Sequence, residues 1–325
     1  MDIWGLLASI AISFLMAFIF AYFLFWIDRY QKEPFALLGG VFLWGAIVAA
    51  GTAFVVNTLV GLGVMVVTES ETATQIATAT LVAPFVEEIL KALAIFLVFV
   101  VFTKNFNSAM DGLIYACVAA AGFAASENAF YIYTTGFLEE GWQGFIALSL
   151  IRIVFIGWLH PFLSAFVGIG LAVTRNTQKQ KTRIIAPAIG LGLAILLHAA
   201  HNFFAVVLPA MSFYIFGWLL MLFLIVRVMK MEDNRIASYL EEEEEEGLIT
   251  TPQFLTTSSA GKFFMARLKG IFSGRYRKAT RFYRTAAELA LQKSLRDRLE
   301  EDVTSKENIK SLREKVKSLS DEVPA

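Results

Sequence analysis

Runs of apolar residues long enough to cross a lipid bilayer are the feature that most constrains this chain. Of its 325 residues, 57% are hydrophobic and only 17% are charged. One crossing needs roughly 20 apolar residues at about 1.5 Å of helical rise each. We therefore predict an all-α, polytopic transmembrane helix bundle of about seven spans. The predicted spans are residues 3–26, 35–62, 79–102, 109–133, 144–174, 184–208 and 211–230.

Basic residues alternate between the predicted loops. The odd-numbered loops carry bases such as Arg29, Lys104 and Lys179, whereas the even-numbered loops carry only acids, such as Glu69 and Glu139, or no charge. Because basic loops stay in the cytoplasm, we expect a multi-pass protein of the cell membrane with an external N-terminus and a cytoplasmic tail. The first run lacks a basic leader and a convincing cleavage site, so we expect it to be retained as a span.

Charge is concentrated after the last predicted span. This divides the chain into a membrane domain, residues 1–230, and a cytoplasmic tail, residues 231–325. The formal net charge is zero, so composition gives no reason to expect nucleic acid as a partner. Within the tail, Glu241–Glu246 is an acidic run that we expect to be solvated, and residues 250–260 have the Ser/Thr-rich composition of a linker.

The rest of the tail is rich in lysine and arginine, and two interpretations are open. It is either a partly helical, partly disordered appendage or a basic amphipathic segment near Lys262–Arg284 that rests on the anionic inner leaflet. In the second case its apolar side would be supplied by Phe263, Phe264, Phe272 and Tyr276.

Polar and ionisable side chains stand inside four of the predicted spans, where lipid makes a charge costly unless it faces a partner or water. From the third span to the sixth they are Glu87, Glu88 and Lys91, then Glu127 and Asn128, then Arg152 and His160, then His198, His201 and Asn202. The helical rise brings groups from all four spans to one layer, between the midplane and the external face. This convergence favours a functional site over structural ion pairs alone.

The carboxylates of the third span suit the activation of water. A carboxylate removed from bulk water is a competent general base, and either Glu87 or Glu88 meets that description. Lys91 follows them at i+4 and i+3 and can neutralise either one. We expect Glu127 and His160 to assist the reaction.

His198 and Asn202 are four residues apart and share one helix face, so together they could stabilise an oxyanion. Single residues also have structural explanations. Asn128 could form a helix–helix hydrogen bond, His201 could be a packed histidine, and Arg152 could pair with a carboxylate. The lone cysteine, Cys117, stands in an apolar run and is expected to be packing.

Two other ways of using these residues stay open. Zinc could be bound by carboxylates and histidines from several spans, although no His-Glu-x-x-His helix is present. The zinc candidates are Glu88, Glu127, His160 and His198. Outside proteolysis, buried glutamates and histidines also form the proton relays of transporters, although no inverted repeat is visible. A non-catalytic membrane scaffold whose tail binds a partner is the remaining alternative.

Four motifs in separate spans resemble the PrsW family of bacterial intramembrane proteases, which is related to the CAAX prenyl proteases. They are Glu87-Glu88-Ile89-Leu90-Lys91, Phe123-Ala124-Ala125-Ser126-Glu127, His160, and His198-Ala199-Ala200-His201-Asn202. The segments Asp28–Pro34 and Asp111–Tyr115 are also similar to the family, and the resemblance covers roughly residues 20–230.

The resemblance implies an intramembrane protease, glutamic-type or metal-dependent, that acts on membrane-anchored proteins. In some family members the substrate is an anti-sigma factor cut at its first site. The CAAX prenyl proteases have a histidine where this chain has Glu127, and we expect His160 to take that role here.

Overall fold

The structure, a computed structural model, describes residues 2–28, 32–207, 212–299 and 303–323. Its elements are helices, and no β-strand occurs among the described residues, so the prediction of an all-α bundle is confirmed. The chain forms two compact units. The first is Met1–Ile27 with Glu33–Phe223, and the second is Asp28–Lys32 with Leu224–Ala325.

The helices of the first unit follow the apolar runs of the sequence. They are α1 (Ile3–Ile27), α2 (Phe35–Leu43), α3 (Ala50–Thr68), α4 (Glu71–Ala77), α5 (Ala83–Val101), α6 (Ala109–Tyr131), α7 (Leu138–Ser149), α8 (Leu159–Arg175), α9 (Gln180–Val207) and the beginning of α10 (Ser212–Glu245). π-helical turns join several of them. These are Trp44–Ala49, Thr78–Val82, Ile132–Phe137 and Leu150–Phe155. Turns of this kind are rare and are found mostly at functional sites.

Four helical stretches in the described part of the chain are long and apolar enough to cross a membrane. They are Ile3–Ile27, Phe35–Thr68, Ala109–Arg175 and Gln180–Ala205. The third contains a non-helical residue, Gly141, at φ 63°, and it holds both the fourth and the fifth predicted spans. The chain is thus a membrane protein, while the number and direction of its crossings stay predictions. Arg29 and residues 208–211, used in those predictions, lie outside the described residues.

Helix α6 lies at the centre of the first unit. It packs against α1, α2, α5 and α8, and nearly all of its side chains from Met110 to Ala125 are buried. Its sequence is rich in alanine and apolar on every side, which is typical of a helix covered on all faces. A capping box between Ser108 and Asp111 fixes its first turn. This buried helix carries Glu127 toward α8.

Glycines let the backbones of α6, α8 and α9 touch. A Cβ added to Gly168 would lie 1.9 Å from the carbonyl oxygen of Gly112, and one added to Gly190 would lie 2.3 Å from that of Phe166. At both positions two helix backbones therefore approach closely. Gly192, by contrast, is exposed, and nothing lies within 4 Å of its Cβ position.

The second unit is a helical domain with its own core. After α10 come α11 (Thr251–Thr257), α12 (Ala260–Phe272), α13 (Tyr276–Leu299) and α14 (Val303–Ser320). Its buried core includes Ile236, Phe263, Phe282 and Leu289. The tail is therefore helical as predicted, but its described residues are packed rather than disordered. Phe263 belongs to this core and cannot supply the membrane-facing side expected of it.

Two further predictions about the tail are wrong. The Ser/Thr-rich segment is not a linker but a helix, α11, which Thr250 and Gln253 begin with a capping box. The acidic run is not fully solvated, since Glu243 is completely buried. Its carboxylate lies 3.0 Å from Lys293 and 3.0 Å from Arg313, and a buried carboxylate is tolerated only with such partners.

Gly168→Ala is expected to destabilise the protein by about 1–3 kcal/mol, because the added methyl group overlaps the backbone of α6. Gly192→Ala is the matched control, since its methyl group enters open space and should leave stability unchanged. Thermal unfolding of the purified protein in detergent measures both. Equal unfolding midpoints for the two variants would contradict the backbone contact between α6 and α8.

Candidate active site

Helix α5 carries two neighbouring carboxylates. It continues directly from the π-helical turn Thr78–Val82 and has Pro84, which lacks an N–H, in its first turn. Consecutive helical residues point about 100° apart, so Glu87 and Glu88 face different surroundings. Both side chains are buried, at 6% and 0% exposure respectively.

Glu88 is occupied by three partners. Its carboxylate accepts a hydrogen bond from Lys91 Nζ at 2.6 Å and lies 2.9 Å from His198 Nδ1. Ser164 on α8 donates to its second oxygen at 3.3 Å. Glu88 therefore joins α5 to α8 and α9.

Lys91 is completely buried and pairs with Glu88 rather than Glu87. Its Nζ also lies 3.1 Å from His160 Nδ1 and 4.6 Å from the ring centroid of Phe123. An ammonium group only donates hydrogen bonds, so Nδ1 of His160 must accept. In the neutral ring the proton of His160 is then on Nε2.

A second, partly buried ion pair lies on the other side of His160. Glu127 Oε2 accepts from Arg152 Nη2 at 2.5 Å and lies 3.0 Å from His160 Nε2. Arg152 also donates through Nε to Asn128 Oδ1 at 2.9 Å, and its guanidinium lies 4.3 Å from the ring centroid of Tyr131. As expected for structural roles, Arg152 pairs with a carboxylate and Asn128 forms a hydrogen bond between helical elements. His160 connects the two ion pairs.

The contact with Glu88 fixes the ring of His198. A carboxylate accepts, so Nδ1 of His198 carries the proton there and the neutral ring keeps its lone pair on Nε2. That Nε2 lies 3.9 Å from Glu87 Oε2. A histidine that binds a metal ion through one ring nitrogen commonly donates its other ring N–H to a carboxylate. His198 and Glu88 have this relation.

One carboxylate oxygen of Glu87 accepts no hydrogen bond from the residues that the structure describes. Its Oε1 accepts from Asn57 Nδ2 at 3.4 Å, whereas its Oε2 is buried and has no hydrogen-bond partner within the described ranges. Ligand atoms of Glu87, His160 and His198 lie within 4.8 Å of one another. One carboxylate and two imidazoles form a donor set known from catalytic zinc sites, so these three residues could hold a metal ion.

A cavity of about 650 Å³ adjoins Glu87 and Glu127. It lies between the π-helical turn Trp44–Ala49 and α3 on one side and α6 on the other. Its lining includes small residues and polar ones, among them Ala50, Gly51, Asn57, Thr58, Thr78 and Ser126. This cavity can admit water and a peptide to the two glutamates.

Not every predicted residue contacts this cluster directly. Asn202 donates through Nδ2 to the carbonyl of Ala79 at 2.8 Å, in the π-helical turn before α5. His201 is partly buried on a different side of the same helix. Cys117 is completely buried, and its thiol donates to the carbonyl of Pro161 at 3.3 Å, as expected of a packing residue.

The two remaining family-like segments meet each other at the start of α6. The Tyr115 hydroxyl donates to the Glu33 carboxylate. Asp111 accepts from the backbone N–H of Ser108 at 2.8 Å as part of the capping box. These contacts anchor the helix that carries Glu127.

Asn57 and Ser164 contact the two glutamates of α5 but were not predicted from the sequence. Both have a recognisable signal in hindsight. Asn57 is an amide inside an otherwise apolar run, and Ser164 follows His160 by four residues and so shares its helix face.

Known proteins with similar sequences identify the family of this chain. A family model described as "PrsW family intramembrane metalloprotease" matches residues 33–228. Protease PrsW of Clostridioides difficile (strain 630) is 25% identical over 228 residues, which is 68% of this chain and 88% of the relative. Protease PrsW of Geobacillus kaustophilus (strain HTA426) is 25% identical over 154 residues, 47% of this chain and 61% of the relative.

A third relative, Protease PrsW of Oceanobacillus iheyensis, is 30% identical over 102 residues, 31% of this chain and 41% of the relative. No solved structure matches. The family model spans more than half of the chain and includes every residue of the buried cluster, and the chain therefore belongs to the PrsW family of intramembrane proteases.

Proposed function

We propose that this chain is an endopeptidase that hydrolyses a peptide bond of membrane-anchored proteins, with the attacking water activated at Glu87. The observation that carries the proposal is Glu87 Oε2, which is buried and has no hydrogen-bond partner in the described part of the chain. Glu88 and Glu127, by contrast, are each paired with a cation. An unpaired carboxylate oxygen beside a cavity is well suited to take a proton from water.

Glu88 acts in this proposal by positioning. Lys91 balances its charge, and its own contact with His198 keeps the Nε2 lone pair of that ring available. In this tautomer His198 accepts at Nε2, so we assign it to holding water or a metal ion rather than to donating to an oxyanion. The predicted oxyanion role of Asn202 stays a prediction.

Glu127 and His160 are assigned to returning a proton to the leaving amine. Glu127 lines the same cavity as Glu87, and His160 directs Nε2 at its carboxylate. Arg152 also donates to the Glu127 carboxylate and so keeps the Glu127–His160 pair in place. Water thus loses one proton to Glu87 as it attacks the carbonyl carbon. That proton passes by way of Glu127 to the nitrogen as the C–N bond breaks, so both glutamates end as carboxylates.

The family description implies a metal ion, and the residues fit one. Among the described residues Glu87 Oε2 has no hydrogen-bond partner, and Glu88 orients His198 through its far nitrogen. His160 can offer the third atom by giving up one of its two present contacts, with Lys91 or with Glu127. A bound metal ion would supply Lewis-acid polarisation of the carbonyl and of the water. The proposed hydrolysis requires Glu87 whether or not a metal ion takes part.

We extend the proposal to the substrate and the membrane. The substrate is a membrane-anchored protein, of which an anti-sigma factor cut at its first site is the example suggested by the family resemblance. We place the N-terminus outside and the second unit in the cytoplasm, following the loop charges. The cluster then lies between the midplane and the external face.

We also propose that the second unit contacts the anionic inner leaflet through α12. Phe272 and Ile271 are 90% and 57% exposed, and Lys269 and Arg275 are exposed beside them. Exposed apolar side chains next to basic ones are typical of helices that lie at a membrane surface.

Glu87→Gln is expected to lower the cleavage rate by about 100-fold or more, because the amide cannot take a proton from water. The measurement is quantitative proteomics of membrane proteins that accumulate uncut in cells expressing the variant. Glu139→Gln, which replaces an exposed glutamate of α7, is the matched control and should cleave normally. Normal cleavage by Glu87→Gln would overturn the proposed role.

Glu88→Gln is expected to act on stability as well as activity. It removes the anionic partner of a completely buried lysine, which costs about 3–5 kcal/mol when such a pair is broken. The thermal unfolding midpoint should therefore fall clearly for Glu88→Gln and stay close to wild type for Glu87→Gln. Equal midpoints for the two variants would contradict the division of roles between these carboxylates.

Metal content separates the two forms of the mechanism. If a metal ion assists, purified wild-type protein should carry about one equivalent of zinc or a related ion, and His198→Ala should carry far less, because two ligands bind more weakly than three. Elemental analysis measures this without any substrate. If metal-free protein cleaves a membrane substrate at the wild-type rate, the mechanism uses glutamate without a metal ion.

A further inference from the structure

Asn57 on α3 lies outside all four family-like motifs but contacts the base. Its Nδ2 donates to Glu87 Oε1 at 3.4 Å, and its Oδ1 is buried without a hydrogen-bond partner among the residues described. A buried amide oxygen left unpaired costs about 1–3 kcal/mol. Such a cost is typical of positions where a ligand supplies the missing partner.

Three of the buried unpaired atoms belong to residues that line one cavity. Asn57, Thr78 and Glu87 all line it, and each has a buried polar atom without a hydrogen-bond partner in the described ranges, namely Oδ1, Oγ1 and Oε2. Thr58 and Ser126 line the same cavity, yet their hydroxyls already donate to main-chain carbonyls. The cavity that holds the carboxylate assigned to the chemistry thus also holds two other residues with unpaired buried atoms.

A peptide bond inside a membrane presents a special difficulty to a protease. The carbonyl of a helical substrate is hydrogen-bonded along the helix, so the cut segment must first unwind. Unwinding exposes N–H and C=O groups that cost several kcal/mol each where water is scarce. An extended chain presents these groups in alternation, with about 3.3 Å of rise per residue. The protease must supply partners for them near the scissile bond.

We propose that Asn57 binds the substrate main chain beside the scissile bond, with its Oδ1 accepting a peptide N–H. This inference rests on the proposed function and adds to it the form of the substrate, an unwound and extended segment lying in the cavity between α3 and α6. The Nδ2 of Asn57 continues to hold Glu87, so one side chain couples substrate binding to the position of the base. Thr78 Oγ1 offers a second partner to the same main chain.

An ester scan tests this contact directly. The probe is a quenched-fluorescent single-span peptide with a Leu/Ala span and a central Gly-Ser-Gly-Ser segment, placed in proteoliposomes with the full-length protein. In each analogue one central peptide bond is replaced by an ester, which removes one N–H. One analogue is expected to lower kcat/KM of the wild type by about tenfold, the cost of one hydrogen bond.

The variants of Asn57 decide whether that N–H binds Oδ1. Asn57→Leu should lower kcat/KM for the all-amide peptide and lose its sensitivity to the critical ester, because the acceptor is gone. Asn57→Ala gives the same comparison where leucine does not fold. Asn57→Asp keeps an acceptor and should stay sensitive to the ester even if it is slower. Thr58→Val is the matched control and should respond to the ester as the wild type does.

The outcomes separate this inference from the proposed function. If Glu87→Gln abolishes hydrolysis while Asn57→Leu and Asn57→Ala remain as sensitive to the ester as the wild type, the main-chain contact is overturned and the protease assignment stands. If the peptide is not hydrolysed in a Glu87-dependent manner, both are overturned.

Discussion

The first unit depends on a completely buried lysine. Lys91 carries a full charge into helices that exclude water, so its partners must come from the protein itself. It finds them on its own helix in Glu88 and on α8 in His160, with the ring of Phe123 from α6 against it. Glu88 in turn reaches α9 through His198. The Lys91–Glu88 pair thereby links four helices, because its further contacts come from α8, α9 and α6.

The same charge separates the roles of two adjacent glutamates. Lys91 neutralises Glu88, and the fixed helical angle then turns Glu87 away toward α3 and the cavity. Proteolysis in a membrane needs both a stable buried polar cluster and one group left unsatisfied enough to react. Glu88 is paired with Lys91, whereas one oxygen of Glu87 has no hydrogen-bond partner among the described residues. Two consecutive residues thus meet both needs. Arg152 satisfies Glu127 in the same manner across a different pair of helices.

The fold class and the convergence of α5, α6, α8 and α9 could be predicted, because apolar length and helical rise are local properties of sequence. The choice of partner for Lys91 could not, since i+3 and i+4 are both within reach on a helix. Asn57 was missed because its importance depends on a neighbour, Glu87, thirty residues away. The linker prediction for the tail was wrong for a different reason. It rested on composition alone, whereas Thr250 and Gln253 have the spacing of a capping box, which begins a helix.

The π-helical turns explain why the site keeps its shape without a rigid sheet. Three of them have a main-chain carbonyl that accepts from a side chain of another helix: Ala46 from Ser126, Ala79 from Asn202 and Val154 from Trp218. A widened turn weakens its own ladder, and in a dry environment that loss is costly unless another donor replaces it. The donors here are long-range, so each irregular turn is stable only in the assembled bundle. The turn held by Asn202 directly precedes the helix of Glu87, so this amide helps to place the carboxylate that we propose as the base.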